Sequence, residues 1–192
     1  MIFFLVTNQL QIMNKFIIYF SSIIFLYSCS RLSPEEKAIK NALGEEINIE
    51  LFDSVQHINS CERMAFNDFR NKYKYISLVY LETSCIFCYP KYVEWQTRMD
   101  SLNLKNDYTV LFIIQGKSFK RFLDFLHQKK PEYKFSRDRF FFAMDPDYRF
   151  LDKNVEIERW IIEKSLLIDH ENKIRLVGPP FASEGMQKLF YR

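Results

Sequence analysis

The sequence predicts an α/β domain, a central mixed β-sheet flanked by helices and preceded by an N-terminal extension. Three observations predict it. Two runs, Tyr75–Glu82 (YISLVYLE) and Tyr108–Gln115 (YTVLFIIQ), are apolar and β-branched nearly throughout, as strands buried on both faces must be. Between them Tyr92, Trp95 and Met99 recur at helical spacing, and a strand–helix–strand unit implies a parallel pair with a right-handed crossover. Near the C-terminus, Ser165–Asp169 and Lys173–Val177 flank His170-Glu171-Asn172, which reads as a hairpin and adds antiparallel pairing.

The elements follow in order. Residues 34–43 read as a short helix: Ser33 suits the N-cap, Pro34 the first helical position, Glu35 and Glu36 the positive helix start, and Gly44 the stop. A strand is expected at Ile47–Phe52, and helical spacing returns over Cys61–Tyr73 through Met64, Phe66 and Phe69. After the first buried strand, a helix is expected from Cys88 to Leu102. After the second, Gly116 turns the chain and Ser118–Lys130 places Phe119, Phe122, Leu123 and Leu126 on one helical face, ended by Pro131. Arg139–Met144 (RFFFAM) reads as a third strand closed by Asp145-Pro146-Asp147. Gly178-Pro179-Pro180 breaks the hairpin, and Ser183–Tyr191 closes the chain as a short helix.

The first 29 residues have the character of a targeting segment. Phe16–Tyr27 is an apolar run of signal-peptide length, too short to span a bilayer, preceded by Asn14 and Lys15. Upstream of Met13 there is no positive charge, and Thr7, Asn8, Gln9 and Gln11 interrupt the apolar pattern, so Met13 is the better start. Leu26-Tyr27-Ser28-Cys29 resembles a bacterial lipobox, with Tyr27 larger than the residue usual there. Acylation at Cys29 would bury several chains at roughly 0.8 kcal/mol per methylene, enough for a firm anchor. The expected organisation is therefore residues 1–29 as lipoprotein signal peptide, 30–46 as tether and short helix, and 47–192 as the main domain.

Composition excludes several classes of function. A chain of 192 residues with 48% hydrophobic content carries one domain plus a leader. Only 4 glycines argue against phosphate-cradling loops and dinucleotide fingerprints, and none is found. The net charge of +3 comes from bases interleaved with acids, so no nucleic-acid partner is expected.

The chemistry centres on Cys85-Ile86-Phe87-Cys88, where a buried strand hands over to a helix. A helix N-terminus carries about half a positive charge and free N–H groups, which stabilise a thiolate. Three positions apart, the two sulfurs can meet across one turn; the first thiol attacks a partner disulfide and the second resolves the mixed disulfide.

With these features the segment from about Tyr75 to Arg192 resembles the thioredoxin superfamily, in its membrane-tethered TlpA/ResA-like, AhpC/TSA-related branch. The Ser84–Cys88 block after its strand, Phe140–Asp147 (FFFAMDPD) and Lys164–Val177 carry the resemblance. It implies a thioredoxin-like fold and a lipid-anchored thiol–disulfide oxidoreductase of the cell envelope facing the periplasm, with the outer membrane favoured over the inner. Cys85 would be the attacking thiolate, Cys88 the resolving thiol, and envelope protein thiols and disulfides the partners. No cofactor is implied. The sequence departs from the branch in three places. Ser84 stands where a Trp is usual, Phe87 where a Pro often separates the cysteines, and Glu163 or Lys164 where a cis-proline precedes the SLLID-type strand. A non-proline cis bond costs about 2.5–4 kcal/mol, so a trans backbone is expected there.

Alternatives follow from the same residues. One is a redox-inactive thioredoxin-fold lipoprotein acting as a binding module. Another is a zinc site, with His57 and Cys61 joining Cys85 and Cys88 as four ligands; Cys61 also suits a small buried hydrophobe. Peroxidase chemistry would need an Arg beside Thr83 and Cys85, and none is obviously placed. His127 and His170 read as helix-face and turn residues.

Overall fold

The computed structural model describes residues 32–58, 62–101, 107–118, 120–124 and 140–190. The leader, Met13, Cys29, Cys61 and His127 lie outside the described residues. The chain divides into two compact units, Met1–Lys37 and Ala38–Arg192.

Helix α1 (Pro34–Ala42) opens on a reciprocal capping box. The Glu36 N–H donates to Ser33 Oγ at 3.2 Å while the Ser33 N–H donates to Glu36 Oε2 at 2.7 Å. Two otherwise orphaned amides are satisfied by one Ser-x-x-Glu pattern, as the sequence around Pro34 predicts.

The second unit is built on a seven-stranded mixed sheet. Its strands are β1 (Ser54–His57), β2 (Arg63–Ala65), β3 (Tyr75–Glu82), β4 (Tyr108–Gln115), β5 (Phe140–Asp145), β6 (Leu166–Ile168) and β7 (Ile174–Val177). They lie in the order β2-β1-β5-β4-β3-β6-β7. The three central strands β3, β4 and β5 are parallel, with Tyr75 opposite Tyr108 and Val110 opposite Phe140. β1, β6 and β7 each run antiparallel to the strand before them in the sheet. The expected parallel pair and terminal hairpin are both present.

Period-two alternation divides the core between the faces. Ile76, Leu78 and Tyr80 of β3 and Leu111 and Ile113 of β4 face one layer. It is completed by Phe66 and Phe69 of α2 (Phe66–Lys72), Phe150 of α4 (Arg149–Asp152), and Ile161 and Ile162 of α5 (Arg159–Glu163). Val79, Leu81, Val110, Phe112 and Ile114 face the other. There they meet Tyr92, Trp95 and Met99 of α3 (Cys88–Ser101), and Phe122 from the helical residues 120–124. Helix α6 (Glu184–Phe190) follows the hairpin. β4 is buried along its whole length, which is why it reads as an unbroken apolar run.

Two expectations shift. The stretch 47–52 is not a strand, although Ile47 and Ile49 do alternate into the core. Its backbone is satisfied another way: the Asn48 N–H donates to Asn154 Oδ1 at 2.7 Å, and Asn154 Nδ2 donates back to the Asn48 carbonyl at 3.0 Å. A distant side chain replaces a ladder, and no local pattern announces it. The expected helix over 61–73 divides into β2 and α2, because residues 63–65 pair with β1 before the helix begins. No local pattern announces the short helices α4 and α5. α4 starts on buried Asp145, whose carboxylate accepts the Arg149 and Phe150 N–H groups.

Candidate active site

β3 ends at Glu82 beside Gln115 of β4, and the Thr83 N–H donates to the Gln115 carbonyl at 3.0 Å. A tight connection follows. The Cys85 N–H donates to the Glu82 carbonyl and the Cys88 N–H to the Cys85 carbonyl, so Cys88 becomes the first residue of α3. Pro90 fits because the first helical turn has no intrahelical partner for its missing N–H. Tyr92, Trp95 and Met99 then bury the helix against the sheet, and Tyr89 Oη donates to the Thr83 carbonyl at 2.9 Å. Gly116 closes the neighbouring turn: a Cβ there would stand 2.5 Å from the Thr83 side chain, so only glycine permits this approach.

The pair is asymmetric. Both thiols are free; Cys85 is partly exposed and Cys88 is buried. Burial pushes the Cys88 thiol up to about 12, helped by a hydrogen bond with Cys85 and opposed by the Glu82 N–H and by Lys91. That N–H points at Cys88 Sγ from 3.3 Å. Between the cysteines, Ile86 and Phe87 are exposed at 64% and 81%, leaving an apolar tip beside the outer sulfur.

Lys91 is the group that sequence reasoning missed. It lies three residues after Cys88 and so on the same helical face, which was the available signal. Its Nζ donates to the Glu163 carbonyl at 2.7 Å and to the Tyr80 carbonyl at 3.3 Å. Burial lowers its pKa, opposed by the sulfurs of Cys88 and Cys85 and by Glu163. A cation is thereby fixed beside the dithiol, where it favours the ionised form. Arg159 binds both Glu82 and Glu163, joining the end of β3 to the end of α5. Of the two residues standing where the resemblance places a cis-proline, Glu163 is tied through its carbonyl to Lys91, while Lys164 lies over the Trp160 ring. Every peptide bond among the described residues is trans.

Other candidates lie elsewhere. His57 is on β1, separated from β3 by β5 and β4, with its ring edge-on to Phe141 at 5.2 Å. His170 sits exposed in the hairpin turn beside Glu171. Among the described residues no group of three or more His, Cys, Asp and Glu side chains could hold a metal ion.

No protein-family model matches the sequence, and no curated protein matches it. Among solved structures, the thioredoxin domain of a thiol-disulfide oxidoreductase from Bacteroides vulgatus aligns at a TM-score of 0.50 and 14% identity, covering 78% of this chain and 96% of that one. The chain has a thioredoxin-like fold. Two further chains align less closely. Thioredoxin from Wuchereria bancrofti has a TM-score of 0.47 at 10% identity, covering 78% of this chain and 90% of that one. The C-terminal domain of an uncharacterised protein from Bacteroides fragilis has 0.47 at 16% identity, covering 79% and 99%. In this thioredoxin-like fold the two cysteines occupy the junction of the central strand β3 with α3.

The electrostatics make two predictions. An unfolded thiol ionises near 9 and folded Cys88 near 12, so the native state holds the proton more tightly. Stability from this group is present below about pH 9 and is lost as pH rises toward 12. In alkaline urea unfolding, reduced Cys88→Ser should lose less stability over that window than the parent; equal slopes would contradict the assignment. Lys91→Met should slow resolution of a mixed disulfide on Cys85 about three- to tenfold at pH 8 and move its pH profile alkaline. Lys91→Arg should keep the profile; an unchanged Lys91→Met profile would leave Lys91 a purely structural tie.

Proposed function

We propose that this protein is a thiol–disulfide oxidoreductase of the cell envelope, acting on protein thiols and disulfides through Cys85 and Cys88. The observation that carries the reading is the asymmetry of the pair: a reachable outer sulfur, and a buried, protonated inner thiol in contact with it. The first is suited to attack and the second to wait. In the reducing direction, the Cys85 thiolate attacks one sulfur of a substrate disulfide, forming a mixed disulfide and expelling a substrate thiolate. Cys88 then gives up its proton and attacks the Cys85 sulfur, closing the Cys85–Cys88 disulfide and releasing the second thiolate. Two electrons pass to the substrate, and two protons end on its thiols. A dithiol donor restores the pair by the same exchange; run backwards, the sequence oxidises a substrate dithiol.

Once Cys85 is bonded to substrate, its sulfur no longer raises the Cys88 pKa, while the Glu82 N–H and Lys91 continue to lower it. Formation of the mixed disulfide thus prepares the resolving thiol. The reaction needs no organic cofactor.

The envelope location rests on the leader. Lipid attachment at Cys29 would hold the domain at the membrane surface, facing the periplasm, and the oxidising compartment gives a dithiol a partner pool. Cys29→Ser should release the protein from the membrane fraction on cell fractionation, and retention of the variant there would rule out this anchor. Cys88→Ser should accumulate mixed disulfides with envelope proteins, resolved as reducible high-mass bands on non-reducing gels and absent from Cys85→Ser/Cys88→Ser. If Cys88→Ser traps nothing while folded, the oxidoreductase reading fails.

A further inference from the structure

A groove of about 730 Å³ opens beside the dithiol, on the β4 side of the site rather than the β6 side where Glu163 lies. Three loops and two helical segments build it. Ser84 and Ile86, on either side of Cys85, form part of one wall, so the groove runs beside the segment that carries the outer cysteine. Tyr148 supplies the exposed aromatic surface, while Tyr89 and Phe122, stacked at 4.8 Å and both buried, form the apolar floor. Tyr148 is 43% exposed and held at φ +57, a conformation a bulky residue adopts only at a cost. The segment after β5 thus spends strain in the turn that presents this ring.

The charge of the groove has one sign. Lys117, just beyond β4, and Arg121, on the helical residues 120–124, line it, and no acidic side chain is among its described lining residues. Both are exposed. Aromatic walls with a cationic rim match an acidic segment that also carries an aromatic or aliphatic side chain.

We propose that this groove selects the substrate of the dithiol, binding an extended polypeptide segment in which acidic residues and an aromatic residue flank the disulfide to be exchanged. The apolar side chain would lie against Tyr148, over the floor that Tyr89 closes, and the carboxylates would meet Lys117 and Arg121. Exposed Ile86 and Phe87 extend the apolar contact past the mouth. The inference rests on the oxidoreductase reading for the location of the disulfide. It goes further by naming the substrate class and the side of the site that reads it.

The test uses two fluorescent cystine peptides, identical except that the residues beside a Phe next to the cystine are Asp in one and Lys in the other. Binding is measured by anisotropy at low salt to the full chain carrying Cys85→Ser/Cys88→Ser. The acidic peptide should bind about five- to tenfold more tightly, and added salt should narrow the difference. Lys117→Glu/Arg121→Glu should reverse the preference and the milder Lys117→Gln/Arg121→Gln should abolish it. Lys74→Glu, at the opposite end of β3, should leave it intact. Equal affinity for the two peptides, or a preference that survives both double variants, overturns the groove. Covalent trapping of the same peptides by Cys88→Ser separates the two readings. Trapping without charge preference overturns the groove alone, whereas charge-selective binding without trapping overturns the oxidoreductase reading and with it the assignment of a disulfide substrate.

Discussion

The burial of β3 between β4 and β6 is the constraint on which the rest of the site depends. Its eight residues pair in unbroken register with β4 from Tyr75 to Glu82, and Leu78 and Ile76 pair with β6 on the other side. A strand held by β4 along its whole length, by β6 at residues 76–78, and covered on both faces cannot slide, so Glu82 ends at a fixed point. Only Thr83–Phe87 lie between that point and α3, and α3 is itself fixed by Tyr92, Trp95 and Met99. Two rigid elements with a five-residue joint leave the cysteines little freedom, which is what a reaction requiring two sulfurs to meet needs.

Charge is arranged around this joint with the same economy. The Glu82 N–H faces the inner sulfur. Lys91 reaches under the pair to carbonyls of β3 and α5, and Arg159 ties the carboxylates of Glu82 and Glu163. These contacts join the segment before β6 to the dithiol through side chains. In the family resemblance that place belongs to a proline.

Much of the fold was legible because its strongest signals are local. YISLVYLE and YTVLFIIQ became β3 and β4 with their expected ends, since complete burial leaves no polar interruption to confuse the reading. Ser33 and Glu36 marked a helix start that the capping box realises. The cysteine pair was found by spacing and by its place after a buried strand. What escaped is long-range. Ile47–Phe52 alternates like a strand, but Asn154, more than a hundred residues away, takes the hydrogen bonds that a neighbouring strand would have taken. β2 is three residues long and exists only because β1 is beside it. Lys91 looked like one more lysine on a helix, and nothing in its own segment revealed that the carbonyl of Glu163, 72 positions later, would accept its hydrogen bond. The groove was equally hidden, since its walls come from segments near residues 84, 118 and 148 that only the sheet order brings together.

The central claim is that Cys85 and Cys88 form a reversible two-electron couple, and equilibration of the purified protein against defined dithiol–disulfide buffers tests it most directly. Thiol labelling followed by mass analysis counts the reduced and oxidised forms at each poise. The account predicts a single two-electron transition confined to Cys85 and Cys88, with a midpoint between about −270 and −120 mV, the range of exchange-active dithiols. A pair that never closes into a disulfide, or one that stays closed below about −300 mV as structural disulfides do, would contradict it.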